Sequence, residues 1–330
     1  MISLERQEIL RLLNTKAGSQ EQELLFSKAS DIRRALCGNK VYIRAVIEIS
    51  NYCRCNCKFC GNSITNNKIT RYRLSYEELI LQINIAIELG IDVIHFASGE
   101  DPNYDHKILL HAIEYAASRG LIVELACGKL SYSYYQSLYN AGAKRYILKF
   151  ETSNKNLFDE TKKCQATLDN IKEHIFYLKE LRFNVGTGNI IGLPNQTEND
   201  LFNDIKLIND LNPDMISTSV FTPNLESDYK FEKPGNTGMA LNYLAIVRLL
   251  FPEKNCSIPT NSTFGSYGKS KALEIAANEI SLNLTPIQHS KKYSLYSGKD
   301  RKKATIHDIV NLINKVNMEI SSIRKVINYE

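Results

Sequence analysis

The chain has 330 residues, 43% of them hydrophobic and 23% charged, with a formal net charge of +5 and lysines scattered along its length. Those values are ordinary for a globular protein and argue against a dedicated nucleic-acid surface. No apolar run reaches the roughly 18 residues needed to span a bilayer, and the start MISLERQEIL lacks a positive-then-apolar secretion signal, so a cytoplasmic protein without a membrane partner is expected.

The first 36 residues read as an amphipathic helical preface, with Ile9, Leu12 and Leu13, then Leu25, Ala29 and Ile32 at helical spacing. Strands follow at 42–49, 92–97, 122–127, 145–151, 184–191, 215–220, 256–259 and 279–284. Helices lie between them at 76–89, 106–119, 132–141, 168–181, 198–211, 241–250 and 269–277. Eight strands separated by helices is the count of a complete (β/α)8 TIM barrel, an α/β fold; a doubly wound open sheet competes because the last two strands are short. The expected organisation is a helical extension over 1–40, the barrel over 41–299 and a helical tail over 300–330, with extension or tail closing one end. The basic run 291–303 reads as a solvated face.

Eight cysteines stand at 37, 53, 55, 57, 60, 127, 164 and 256, four of them crowded into one short loop after the first strand. Clustering of this kind points to metal binding in a reducing compartment rather than to a disulfide framework. Cys53, Cys57 and Cys60 form Cys-x-x-x-Cys-x-x-Cys, three thiolates able to hold three irons of a cubane and leave the fourth open. A structural zinc would want four ligands, and Cys55 could supply the fourth, but the alternating spacing is unlike paired knuckles, no second pair follows and no histidine lies near. Cys55 reads as a bystander, and Cys127, Cys164 and Cys256 as buried or incidental thiols.

Strand ends supply further candidates. The second gives Ser98-Gly99-Glu100, a turn whose glycine permits close approach and whose carboxylate can accept from an ammonium. On the fourth, period-two alternation puts Lys149 and Glu151 on one face, aimed into the barrel if Leu148 and Phe150 face the helices. Inward charges are costly unless they pair or meet a charged ligand. Glu124 on the third strand shares a face with Ala126 and would suit an amino-bearing substrate. The fifth runs into Gly188-Asn189-Ile190-Ile191-Gly192-Leu193.

The triplet, with Phe59 just before its last cysteine, resembles the radical S-adenosylmethionine (SAM) superfamily. The resemblance implies a 4Fe–4S cluster on Cys53, Cys57 and Cys60 and reductive cleavage of SAM to a 5′-deoxyadenosyl radical that takes hydrogen from a small molecule in the barrel. It also implies a cofactor site drawing on Phe59, Ser98, Gly99, Glu100, Glu151, Gly188, Ile190 and Leu193. An electron donor such as ferredoxin or flavodoxin is expected as partner.

Within the superfamily, V-I-E-I-S-N-Y-C (46–53), R-Y-R-L-S-Y-E-E (71–78), S-G-E-D-P (98–102) and A-G-A-K-R-Y (141–146) are similar to the biotin synthase group. I-I-G-L-P-N-Q-T (190–197), F-T-P (221–223) and Y-S-L-Y-S-G-K (293–299) lean toward its HydE-type hydrogenase maturases, beside methylornithine synthases. This implies a metallocofactor-assembly role and a substrate wall of Glu124, Lys149 and Tyr293. Sulfur insertion, carbon-skeleton rearrangement and, from another class, a non-catalytic metal-binding scaffold are the alternatives. The chain departs from these relatives where they carry a carboxylate-binding arginine: here stands Ile171, with Lys172 or Lys163 as the available substitute. Lys149 also replaces an arginine of HydE-type proteins, and sulfur donation would need Cys127, Cys164 and Cys256 to converge on an auxiliary cluster.

Overall fold

The computed structural model describes residues 4–252, 257–295 and 304–321. Eight parallel strands form the body: β1 (Lys40–Ser50), β2 (Val93–Ser98), β3 (Ile122–Ala126), β4 (Ala143–Ile147), β5 (Asn184–Thr187), β6 (Met215–Ile216), β7 (Pro259–Thr260) and β8 (Glu279–Asn283). Their order is β6-β5-β4-β3-β2-β1-β8-β7, and a parallel bridge from Met215 to Ser257 joins the two ends. Ile216 N–H donates to the Ser257 carbonyl at 3.0 Å, so the sheet curls almost into a closed barrel rather than staying open. Cys256 and most of the basic run (296–303) lie outside the described residues.

Around the strands lie α3 (Tyr76–Glu88), α4 (His106–Ser118), α5 (Tyr132–Asn140), α6 (Lys155–Thr161), α7 (Leu168–Glu180), α8 (Glu198–Leu211), α9 (Thr237–Leu250) and α10 (Gly265–Ile275). Their starts are encoded locally. Ser75 with Glu78, Thr167 with Asn170 and Thr197 with Asp200 each form a reciprocal capping box, satisfying N–H groups that a helix start leaves open. Three expected strands are shorter than their apolar runs. The fifth breaks at Gly188-Asn189 before Ile190–Ile191, and the sixth before Ser219–Val220; these two pieces pair with each other as a rim extension. The fourth ends at Ile147, four residues before Glu151.

The preface forms α1 (Arg6–Leu13) and α2 (Gln20–Cys37), which pack against α8, α9 and α10 on the outside of the helical ring. That placement explains α9, in which every residue from 240 to 249 is buried: the barrel covers one face and the preface the other. Asn242 holds the seam, accepting from Gln22 at 2.7 Å and donating to the Leu13 and Thr15 carbonyls at 3.1 and 3.0 Å. After α11 (Ile306–Lys315) an unexpected strand, β9 (Glu319–Ser321), adds in parallel to the start of β1. No helix among the described residues is long and apolar enough to cross a membrane.

Candidate active site at the cysteine loop

The loop from Asn51 to Asn66 leaves the carboxyl end of β1 and is pinned to its surroundings almost entirely through backbone groups. Arg71 donates to the carbonyls of Asn51, Asn62, Ser63 and Asn66. Asn51, fully buried, donates to the Thr70 and Lys292 carbonyls at 2.9 and 2.7 Å and accepts from Tyr72 N–H at 2.8 Å. Arg54 N–H donates to the Glu100 carbonyl at 2.9 Å. Gly99 is required here, since a Cβ would collide with the Tyr52 carbonyl and the Cys53 side chain.

Cys53, Cys57 and Cys60 are brought to one mouth, and their thiols are unfavourable anions there. Burial raises all three, Cys60 to about 12, and Cys57 and Cys60 are raised further by the charges of their neighbouring cysteines. Among the described residues, side-chain sulfur and carboxylate atoms of Cys55, Glu100 and Cys164 gather within 4.8 Å of one another beside this triplet.

Beside the loop is an apolar cradle of Leu157, Ile190, Leu193, Phe221 and Tyr229 with Phe59 packed against it. Three expected cofactor residues, Phe59, Ile190 and Leu193, therefore meet, although they come from different loops. Glu151 lies at the edge of this cradle with φ at +65°, a left-handed backbone that a glutamate rarely adopts and that marks a position held by its surroundings. The Gly188 carbonyl accepts from Glu151 N–H at 3.1 Å, and Glu151's carbonyl accepts from Ile190 N–H at 2.9 Å. A Cβ at Gly188 would strike the Ser217 backbone. Lys149 and Glu151 do share the inner face, 3.1 Å apart, while Lys149 also donates to Ser219 Oγ at 3.2 Å.

Other expected residues fall elsewhere. Lys172 pairs with Asp169 one helical turn away at 3.1 Å, and Lys163 is exposed; neither lines the cavity, because their stretches face outward. Besides Lys149, the fold brings Lys162 to Glu151, at 3.7 Å and nearly buried, its ammonium donating to the Lys149 carbonyl at 2.9 Å. Glu100 turns its carboxylate away from the barrel to Arg54 Nε (3.0 Å) and Lys129 N–H (3.2 Å), and Ser98 Oγ donates to the Gly99 carbonyl at 2.7 Å. Cys127 is buried, as expected, and donates to the Phe96 carbonyl at 3.8 Å; Cys164 is buried too, but it is drawn to the cysteine loop and bonded to Cys55, an approach the sequence does not announce.

The barrel interior holds two adjoining cavities of about 190 and 210 Å³ that share Arg44, His95, Asn261 and Leu295. The first opens on Phe59, Lys149, Glu151 and Ile190, and the second on Tyr293 and Lys269. Glu124 does point inward, but its charge is already answered: Oε1 accepts from Arg44 Nη1 at 2.7 Å and lies 2.6 Å from His95 Nδ1. Arg145 stands 3.9 Å from its other oxygen and 3.0 Å from Glu279. Burial works to raise the Glu124 carboxyl, but Arg44 and His95 overcome it and hold the group down at about 2. The cavity accordingly meets Arg44 and His95, not the carboxylate expected as a substrate ligand.

Asp204 was not visible as a site residue, yet it positions the Glu151 rim. Fully buried on α8, it accepts from Ser153 N–H at 2.6 Å and Asn189 Nδ2 at 2.8 Å, tying the two loops that flank Glu151 and Ile190. The signal in the sequence was an acid on the apolar face shared by Leu201, Ile205 and Ile208. Asp204→Ala leaves two buried donors unsatisfied, and a loss of about 2–3 kcal/mol in chemical unfolding is expected. A loss below half of that would show water filling the gap.

The sequence matches the radical SAM superfamily over residues 47–208. It is 34% identical over 303 residues to the [FeFe] hydrogenase maturase subunit HydE of Thermotoga maritima, covering 90% of this chain and 86% of that protein. The chain belongs to the radical SAM superfamily. It is also 26% identical over 255 residues to 3-methylornithine synthase of Methanosarcina acetivorans, covering 76% of this chain and 71% of that one. In fold it resembles the crystal structure of methylornithine synthase (PylB), with a TM-score of 0.87 at 21% identity over 97% of this chain and 95% of that one.

As a radical SAM enzyme, the protein binds a 4Fe–4S cluster and SAM, and the residues present fit both groups. Three half-buried thiols that resist ionisation alone become good ligands once iron supplies the compensating charge. The left-handed Glu151, its carboxylate 3.1 Å from the Lys149 ammonium and 3.7 Å from that of Lys162, offers a polar anchor beside the apolar cradle. The non-catalytic scaffold finds no support in these matches.

Proposed function

We propose that the enzyme acts on a small molecule held between Glu151 and Tyr293 and, like the HydE-type maturase it resembles, serves in assembling a metallocofactor. When bound, cluster and SAM supply a one-electron cleavage that yields a 5′-deoxyadenosyl radical. The observation that carries the reading is continuity: the cavity beginning at Phe59 and Glu151, next to the cysteine loop, adjoins the one ending at Tyr293.

In this reading Cys53, Cys57 and Cys60 hold the cluster, Phe59, Ile190 and Leu193 pack against the nucleoside, and Lys162 with Glu151 receives the polar end of SAM. Lys149, Arg44 and His95 offer donors to the substrate. The barrel wall keeps water from the reacting groups. Arg54, half exposed beside the loop, supports docking of an acidic one-electron donor such as ferredoxin or flavodoxin. We place the enzyme in a reducing, air-poor cytoplasm.

Anaerobic reconstitution with iron and sulfide, followed by dithionite and SAM, is expected to give 5′-deoxyadenosine; SAM recovered intact would refute the catalytic assignment. Substrate class is tested by expression in cells lacking HydE, biotin synthase or methylornithine synthase. Restored hydrogenase maturation is expected, and rescue of either other strain in its place would replace our reading with that product.

A further inference from the structure

Two cysteines outside the cluster triplet meet beside it. Cys55 stands between Cys53 and Cys57, and Cys164 lies between α6 and α7, separated from it by 109 positions; their Cα atoms are 4.5 Å apart and their sulfurs are joined. Main-chain rungs bring the two segments together next to the link. Asn56 N–H donates to the Lys163 carbonyl at 2.8 Å and Lys58 N–H to the Thr161 carbonyl at 2.9 Å. Their approach is therefore built by the backbone and persists without the sulfur bond. Cys57 Sγ lies 3.9 Å from Cys164 Sγ, which puts a cluster ligand within reach of the same link.

We propose that Cys55 and Cys164 form a reversible redox site, and that Cys57, when it has lost its iron, exchanges onto Cys164 and locks the protein in a cluster-free state. The second half rests on Cys57 being a cluster ligand; the first does not. Both paired cysteines are buried, so the oxidant is a small one of the peroxide class rather than a bulky disulfide. One thiol takes an oxygen from hydrogen peroxide, whose O–O bond breaks, giving a sulfenic acid and water. The second thiol displaces that oxygen as a second water and forms the S–S bond. Two thiols thus lose two electrons and two protons, and the peroxide gains them.

While iron holds Cys57, the link stays between Cys55 and Cys164 and fixes the cysteine loop to the segment that carries Lys162. Once iron leaves, Cys57 gives up its proton and attacks the Cys164 sulfur; Cys55 departs as a thiolate and takes a proton. No electrons change hands in that exchange, but one of three cluster ligands is now consumed. A dithiol reductant reverses it.

The test uses the full-length cluster-free protein, oxidised with hydrogen peroxide, alkylated and digested with trypsin without reduction. Cleavage releases the peptide 55–58, which holds both Cys55 and Cys57, and the peptide 164–172. The two are expected to be joined in the wild type, in Cys57→Ser through Cys55, and in Cys55→Ser through Cys57. Cys164 alkylated in all three proteins would overturn the proposal. Iron and sulfide uptake without added thiol gives a second readout. Oxidised wild type should load several-fold less than the never-oxidised protein and recover with a dithiol, whereas Cys164→Ser should load equally either way. Equal loss in Cys164→Ser would refute the lock, and failure of Cys164→Ser to load even before oxidation would make Cys164 a structural ligand instead. If never-oxidised wild type neither loads a cluster nor cleaves SAM, the cluster assignment fails while the peptide link still decides the redox site.

Discussion

Cys57→Ala is expected to fold, to retain little iron or sulfide after reconstitution, and to form 5′-deoxyadenosine at least about a hundredfold more slowly than wild type. Loss of a direct ligand should exceed the 10–100-fold typical of changes one shell further out. The thiol is half-buried and held strongly toward its neutral form, so alanine at this position removes a small, mostly apolar volume and little else from the iron-free fold. Iron and sulfide content, the visible absorbance of the cluster and product formation should therefore fall together while the unfolding midpoint hardly moves. Cys55→Ala, two positions away, should keep both cluster and cleavage. Undiminished cleavage in Cys57→Ala would end the assignment of the triplet.

Arg44→Ala carries the largest expected cost in stability. It removes the cation 2.7 Å from Glu124, a carboxylate with no exposed surface, and leaves a buried charge answered only by His95 and the more distant Arg145. Breaking a buried pair from one side costs about 3–5 kcal/mol. The pH dependence follows from the depressed carboxyl. In the wild type its contribution is complete above the ordinary value near 4.5 and is lost as pH falls toward about 2. Without Arg44 the carboxyl moves up, so the penalty should shrink as the solution is acidified. Arg44→Ala/Glu124→Ala should recover a good part of the loss at neutral pH. A single variant within about 1 kcal/mol of wild type in urea unfolding would mean that Glu124 is not charged in the fold.

Much of the barrel is legible in the sequence because strands and helices differ in apolar period and most helix starts announce a cap. The cysteine loop is legible for another reason, since its ligands lie within a few residues of one another. What escaped depends on tertiary approach. Cys55 and Cys164 look unrelated along the chain and meet only because α6, itself too short to show a period, returns the backbone to the loop. Lys172 resembled the natural partner for a carboxylate, but one turn of helix gives it to Asp169, while Lys162 reaches inward. Glu124 was rightly placed inside the barrel and wrongly left unpaired, because period-two alternation says which face a residue shares and nothing of what stands opposite. The short β6 and β7 hold few residues apiece, and the bridge at Ser257, not strand length, brings the two edges together.

The chain of Arg44, His95, Glu124, Arg145 and Glu279 has one further consequence. These residues sit on β1, β2, β3, β4 and β8, so charge is laced across five of the eight staves, at or before the middle of each. Parting any two of them would strand an ion away from water. A floor tied in this way is a poor doorway, and the loops at the opposite rim are the more yielding side of the chamber.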